Sequence, residues 1–409
     1  MSRKTLRTIV LLWLGWFLVL YGFQFLVTTR LGVIRPDLAV SWSRTETMAA
    51  SNRGKIYLLE PFMNRQVAWD SEYYVGIAVA GYDDPRAGTV DRTASGATVI
   101  KNYSFFPFYP WLMSVVARPL AWLGLEPIAA AVAAGLVVTL LGTLAGMVAL
   151  WHLTRALFDE ESALRASFYL LIFPTAFFFA MVYTEGLFIG LAFWSLWLAE
   201  RRQWLWASLL ALLATWTRAH GALLALPLLW AWATGATAKA DGRRSGKGWH
   251  WWAQGLLALL PLGAFLLWRL SPLGQGWAEL QPFYFGRGFL ALGRTLQSAH
   301  SVVAYAQTTG QAAVYFSLEL AAVLLALVAA LWLLRRDPPL ALFGLAVVLF
   351  SILSGSIQSL ARYVLVSPPL YIFLARLGRH KAFDRVWTIA SVLLLGMLAT
   401  LFAFDMWVG

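Results

Sequence analysis

The run Trp69-Asp70-Ser71-Glu72-Tyr73-Tyr74 sets two carboxylates among bulky rings, and Asn102-Tyr103-Ser104-Phe105-Phe106-Pro107-Phe108-Tyr109-Pro110 adds a second aromatic run in the same stretch. A carboxylate among apolar rings is costly to ionise unless a cation or hydrogen bond compensates. Such groups gather where protons move or charge must be stabilised. Asp70 is the first candidate. In a helix starting here, Asp70, Tyr73 or Tyr74, and Ile77 share one side, so the carboxylate can face a cavity and orient an acceptor hydroxyl. In a sugar transfer by single displacement, a carboxylate beside the acceptor takes its proton as the oxocarbenium-like transition state forms, and the anomeric centre inverts. Asp70 is equally a favoured N-cap for the helix that follows, and spacing does not choose between base and cap.

Cations are available to match. Arg218 falls at a predicted turn between two apolar runs, Arg362 opens another run, and Lys101 precedes the aromatic segment. Together they can hold a lipid phosphate. A phosphate leaving group gains charge as the glycosidic bond breaks, so a fixed guanidinium stabilises the transition state more than the ground state. Lys101 is better explained by snorkelling to the interface. His220 can donate to a phosphate or sugar hydroxyl, although a lone histidine at a helix end is more often structural. Glu185, in the turn Tyr183-Thr184-Glu185-Gly186, either binds sugar hydroxyls or starts the next helix. Asp70, Glu72, Asp83-Asp84 and Glu185 offer oxygen ligands, but their spacing makes no metal motif, so no metal or other cofactor is expected.

These residues need elements to hold them. Of 409 residues, 60% are hydrophobic and only 13% charged, and apolar runs of span length recur throughout, which describes a polytopic helical membrane protein. Residues 8–27 follow Arg3, Lys4 and Arg7 and read as a retained first span with a cytoplasmic N-terminus. Further spans are expected over residues 128–151, 166–183, 185–200, 204–217, 219–236, 249–269, 312–334, 339–355, 361–376 and 386–405, about eleven in all. Residues 105–125 are apolar, but Pro107, Pro110, Arg118 and Pro119 interrupt them, so they are expected to lie along the outer interface. Arg155 and Arg165, Arg201-Arg202, Lys239 with Arg243-Arg244 and Lys247, Arg335-Arg336, and Arg376-Arg379-Lys381-Arg385 then share the cytoplasmic side. Asp70, Glu72, Asn102, Glu185, Arg218, His220 and Arg362 share the other.

The whole chain, 1–409, is expected to be one membrane-embedded unit with extracytoplasmic loops over 28–127 and 271–311 and a flexible connector over 236–249. The net charge of +12 falls mostly in short loops, where it sets topology and implies no nucleic-acid partner. Absence of cysteine excludes disulfides and thiolate chemistry. Most of the 22 tryptophans, Trp13, Trp204, Trp206, Trp249, Trp251 and Trp252 among them, flank apolar runs as interfacial anchors.

The segment Trp69-Asp70-Ser71-Glu72 leading to Ile77-Ala78 and Gly81-Tyr82, then Asn102 to Pro110, resembles the PIG-V family of mannosyltransferases, of the membrane-embedded C-type glycosyltransferase superfamily. Tyr183-Thr184-Glu185-Gly186-Leu187-Phe188 and Thr217-Arg218-Ala219-His220-Gly221 resemble two further family motifs in the same order. Beyond Trp249 only hydropathy and Ser359-Leu360-Ala361-Arg362-Tyr363 carry the likeness. The resemblance implies an all-α C-type bundle, a polyprenyl-phosphate-mannose donor, and inverting transfer outside the cytoplasm with Asp70 at the site. Arg218, His220, Arg362 and Lys101 are expected near the donor phosphate, and Trp69, Glu72, Tyr73, Tyr74, Asn102, Tyr109 and Glu185 near the substrates. The compact length resembles prokaryotic members and a plasma-membrane location, with a glycolipid, glycan or protein as acceptor. Transfer of another sugar, or a lipid or solute transporter built on the same groove, stays open.

Overall fold

The computed structural model describes residues 1–31, 62–90, 96–235, 248–308 and 310–408. Lys239, Arg243, Arg244 and Lys247 of the expected connector, and much of the expected 28–127 loop, lie outside them. In chain order the helices are α1 (Arg3–Leu31), α2 (Asp70–Ala80), α3 (Phe108–Ala121), α4 (Pro127–Leu157), α5 (Glu160–Ile172), α6 (Glu185–Glu200), α7 (Trp204–Thr217) and α8 (Ala225–Gly235). There follow α9 (Trp249–Leu270), α10 (Pro272–Tyr284), α11 (Leu292–Ala306), α12 (Gly310–Leu333), α13 (Pro338–Ile352), α14 (Leu360–Tyr363), α15 (Pro368–Leu377) and α16 (Lys381–Ala403). Two short strands, Thr89–Val90 and Val99–Ile100, pair antiparallel between α2 and α3.

The protein is a multi-pass integral membrane protein, and helix is the form a chain takes where no water can satisfy its backbone. Leu18, Val19 and Leu26 of α1, Leu256, Leu266 and Leu267 of α9, and Ile389 and Leu393 of α16 are all exposed. A solvated protein does not carry apolar faces of that extent, whereas lipid accepts them. Among the described residues α1, α4, α9, α12 and α16 are long and apolar enough to cross a membrane, and Leu360–Val366 with α15 makes a sixth candidate bent by 85°. The helices over Trp204–Thr217, Ala219–Thr234 and Pro338–Ile352 are apolar but shorter. The expectation of about eleven crossings counted bent and short elements as full spans, so length and apolarity leave that number an expectation.

Three expected spans are broken, each for a visible reason. The 166–183 span is α5, which starts earlier because Asp159 accepts the Ser162 N–H at 2.7 Å as N-cap. It stops before Pro174, and a 3-10 turn over Ala176–Ala180 follows. The 219–236 span opens as a 3-10 turn, Ala219–Leu224, before α8. The 361–376 span breaks at Ser367, ahead of Pro368-Pro369. The expected 271–311 loop holds two helices: Ser271 caps α10 by accepting from Gly274 N–H at 3.3 Å with Pro272 at the first position, and α11 follows. Residues 105–125 contain α3, which buries Tyr109, Pro110 and Met113 and exposes Trp111.

The central contact is α4 against α6. Gly142, Gly146, Gly186 and Gly190 line it, and a Cβ on Gly190 would come within 2.7 Å of the Gly142 carbonyl oxygen. Small residues let the two backbones touch, which is how helices associate where apolar side chains gain nothing by leaving lipid. Thr143 donates to the carbonyls of Thr139 and Phe179, both at 2.9 Å, and Thr139 donates to that of Tyr183 at 2.8 Å. The α5–α6 connection is thereby fixed to α4, and Glu185 sits at its end.

Candidate active site

Asp70 is the first residue of α2, and it is not the N-cap. Trp69 holds that position at φ 58°, ψ −118°, a left-handed region that a bulky side chain rarely enters. Neighbours on all sides impose it. Tyr183 Oη donates to the Ala68 carbonyl at 3.0 Å, and the Trp69 ring meets Trp407 edge-on at 5.0 Å. Just upstream, Val182 N–H donates to the Gln66 carbonyl at 3.0 Å, and Gln66 Nε2 donates to Gln24 Oε1 of α1 at 3.0 Å. Relieved of capping, the Asp70 carboxylate turns to Arg362, whose guanidinium donates to Oδ2 at 2.8 Å.

From Arg362 a chain of alternating charge runs on. Its Nε lies 3.5 Å from Glu185 Oε1, Glu185 pairs with Arg218, and Arg218 donates to Thr184 Oγ1 at 2.9 Å. Glu185 occupies the first turn of α6, where the helix dipole favours a negative charge. The four members differ in access: the side chains of Glu185, Arg362 and Arg218 are 0%, 8% and 9% exposed, and that of Asp70 is 22% exposed. Asp70 is thus the most exposed member of the chain.

Aromatic rings wall the chain. Arg362 lies over Phe178, Tyr183 and Tyr363, and the Tyr363 ring also takes Arg218 at 5.4 Å and Arg287 at 4.6 Å. Tyr74 packs edge-on against Tyr109 at 5.2 Å and near Tyr183. Tyr73 stacks on Phe105 at 5.0 Å, and its hydroxyl meets that of Tyr284 at 3.1 Å. Burial, reinforced by Tyr284, pushes the Tyr73 phenol far above its usual range, so it stays neutral.

The expected site residues therefore divide. Asp70, Glu185, Arg218 and Arg362 converge, with Trp69 and Tyr74 beside them. Glu72 is buried on the same helix. Tyr109 is fully buried and its hydroxyl bonds Thr139 Oγ1 at 2.8 Å and the Gly135 carbonyl, so it supports Tyr74 from behind. Asn102 donates to the Gly81 and Tyr82 carbonyls and so closes the end of α2. His220 Nε2 meets Ser351 Oγ at 3.0 Å, with its ring tilted against Tyr363. Lys101 lies over the Tyr284 ring at 4.9 Å and makes no ion pair among the described residues. Asp84 pairs with Arg86 at 2.7 Å and Asp83 accepts from Tyr103, whose phenol that bond pushes up to about 12. Among the described residues no three carboxylate or imidazole groups converge as metal ligands do.

Sequence reasoning missed Arg287 and Glu319. Arg287 sits between α10 and α11 and donates to the Gln358 carbonyl at 3.1 Å, with no carboxylate partner among the described residues. Its flanks are tied across the fold, as Gly288 N–H donates to the Ser354 carbonyl at 2.6 Å and Ala291 N–H to that of Leu353 at 2.8 Å. The glycines at 286 and 288 were the available signal. Glu319 lies inside the apolar run of α12, where a lone acid is itself a signal.

No curated protein matches the chain. Similar solved structures include the Archaeoglobus fulgidus oligosaccharyltransferase in complex with zinc and sulfate, at 17% identity and TM-score 0.42 over 87% of this chain and 52% of that one. The A. fulgidus oligosaccharyltransferase AglB with an inhibitory peptide and dolichol-phosphate shares 16% identity at TM-score 0.42, over 95% and 55%. Cupriavidus metallidurans ArnT bound to undecaprenyl phosphate shares 13% identity at TM-score 0.44, over 89% and 76%. The chain spans about half the length of the archaeal proteins. The model of the mannosyltransferase (PIG-V) family matches residues 17–231, a range that holds Asp70, Glu185 and Arg218. The chain belongs to the PIG-V family of mannosyltransferases.

Proposed function

We propose that this protein transfers mannose from a polyprenyl-phosphate-mannose donor to a hydroxyl of a glycolipid, glycan or protein acceptor, by a single inverting displacement with Asp70 as general base. The observation that carries the reading is the exposure of the Asp70 carboxylate at the end of an otherwise buried ion-pair chain. Arg362, itself held by Glu185, keeps it in place, and the acceptor hydroxyl loses its proton to it as the bond to the anomeric carbon forms and the bond to the donor phosphate breaks.

The donor phosphate needs positive charge that is not already neutralised. Arg218 and Arg362 share the charge of Glu185 and Asp70, so Arg287 joins the expected group of Arg218, His220, Arg362 and Lys101 as the cation with most to offer. Charge developing on the phosphate is met by these donors, and the step as proposed uses no resident metal. Trp69, Glu72, Tyr73, Tyr74, Asn102, Tyr109 and Glu185 form or support the acceptor and sugar pocket. The chain acts as one membrane-embedded unit with a cytoplasmic N-terminus and the Asp70 face outside the cytoplasm. The proposed setting is a prokaryotic plasma membrane.

The test is transfer from radiolabelled polyprenyl-phosphate mannose to native lipid extract by purified protein in nanodiscs, with and without chelator. Wild type yields an inverted product unaffected by chelator, and a folded Asp70→Asn variant loses about 10²–10⁴-fold in turnover. Equal turnover by both proteins removes Asp70 from the mechanism, and loss on chelation puts a metal into it.

A further inference from the structure

The proposed step leaves one buried carboxylate without a task. Glu319 sits within α12, a helix apolar enough to span the membrane, and is only 3% exposed. An ionisable side chain is expensive there and is kept where it does something. Its Oε2 accepts the backbone N–H of Ala361 at 2.6 Å. Ala361 lies in the first turn of α14, the four-residue helix that carries Arg362. That turn needs an external partner, because Ser359 holds φ 64° and its own side chain makes no capping bond. Thr175 secures the other side of the turn by donating to the Ala361 carbonyl at 3.1 Å.

A second arm runs from α12 to the other end of the ion pair. Tyr315 stands one turn earlier on α12, and its hydroxyl accepts Trp407 Nε1–H at 3.1 Å. The Trp407 ring in turn packs edge-on against Trp69, the residue that sets the start of α2 at Asp70. We infer that Glu319 is a positioning residue: its buried carboxylate fixes Arg362, and the same helix, through Tyr315 and Trp407, fixes Asp70. It touches neither substrate. The inference rests on the reading of Asp70 as base.

The experiment compares Glu319→Leu, Glu319→Gln and Tyr315→Phe with Asp70→Asn in the full-length protein in nanodiscs, measuring kcat, donor KM and thermal unfolding. Leucine keeps the bulk and removes the acceptor, so kcat falls by about 10²-fold, the order that an ångström of misplacement costs, while donor KM changes by less than about threefold. Glutamine keeps an oxygen for the Ala361 N–H and restores most of that kcat. Wild-type kcat in Glu319→Leu, with Asp70→Asn inactive, overturns this inference alone. Equal losses in the leucine and glutamine variants that track a lowered unfolding temperature also overturn it. Full turnover by Asp70→Asn removes both readings. Should Glu319→Leu not fold, Tyr315→Phe decides: a lower kcat at unchanged donor KM supports the second arm, and an unchanged kcat overturns it.

Discussion

Residues 17–231, which match the family, and residues 248–408, which do not, contribute to the ion-pair chain in opposite senses. The first region brings Asp70, Glu185 and Arg218, two negative charges and one positive, a net −1. The second brings Arg362, a net +1, and Arg287 stands beside it on the Tyr363 ring. Neither region is electrically complete at membrane depth, where an unpaired charge is costly. The half that carries the recognisable motifs is thus the half that needs the other to be stable, and the less recognisable half supplies the compensating charge from short, bent elements.

Cutting the link between the halves has the largest expected effect. Arg362→Ala strands Asp70 and leaves Glu185 with Arg218 alone, so it costs about 3–5 kcal/mol of stability together with most activity. Arg362→Lys keeps the charge but cannot reach both carboxylates as a planar fork does, and recovers only part of each. Thermal unfolding in nanodiscs beside the transfer assay checks both, and a stable, active Arg362→Ala protein would break the comparison. Next comes Arg287→Ala. A charge-assisted hydrogen bond is worth about 1.5–3 kcal/mol, so donor kcat/KM drops by roughly 10- to 100-fold with unfolding unchanged. An unchanged kcat/KM would return the phosphate to Arg218 and Arg362.

Within the first half alone, Gly190→Ala forces a methyl toward the Gly142 carbonyl and costs about 1–3 kcal/mol by overpacking. The same exchange at Gly263 of α9, where a Cβ meets nothing within 4 Å, costs nothing measurable or stabilises slightly. The smallest effect is expected at Lys101. Replacement by Met leaves the apolar stem over Tyr284 and changes donor kcat/KM by less than about twofold. A large loss there would extend the phosphate site to Lys101 and sharpen the division of charge between the halves.

Much of this was legible in the residues because the information was local. Asp70 stands in a short run of unlike neighbours, α6 and α7 have the boundaries that their apolar runs give, and Pro107, Pro110 and Pro119 marked α3 as an interrupted, half-exposed helix. The Asp70 cap was the wrong alternative because Trp69 takes the cap position in a backbone conformation that only tertiary contacts impose. Arg287 and Glu319 were missed for the same physical reason. Each acquires meaning from a partner far along the chain, Gln358 or Tyr363 for the one and Ala361 for the other, and periodicity carries no record of such pairings. The helices of 271–311 could have been read from Ser271-Pro272, a start signal hidden behind the expectation of a loop.

The 85° bend between Leu360–Val366 and Pro368–Leu377 has a consequence for biosynthesis. A ribosome delivers Asp70 and Glu185 long before Arg362, and the turn bearing Arg362 is secured only after Glu319 and Thr175 are in place to receive it. During synthesis Glu185 has Arg218 close behind it, whereas Asp70 waits without its counter-ion until the segment bearing Arg362 follows. A chain that stalls before this segment keeps the Glu185–Arg218 pair but lacks the guanidinium that holds Asp70.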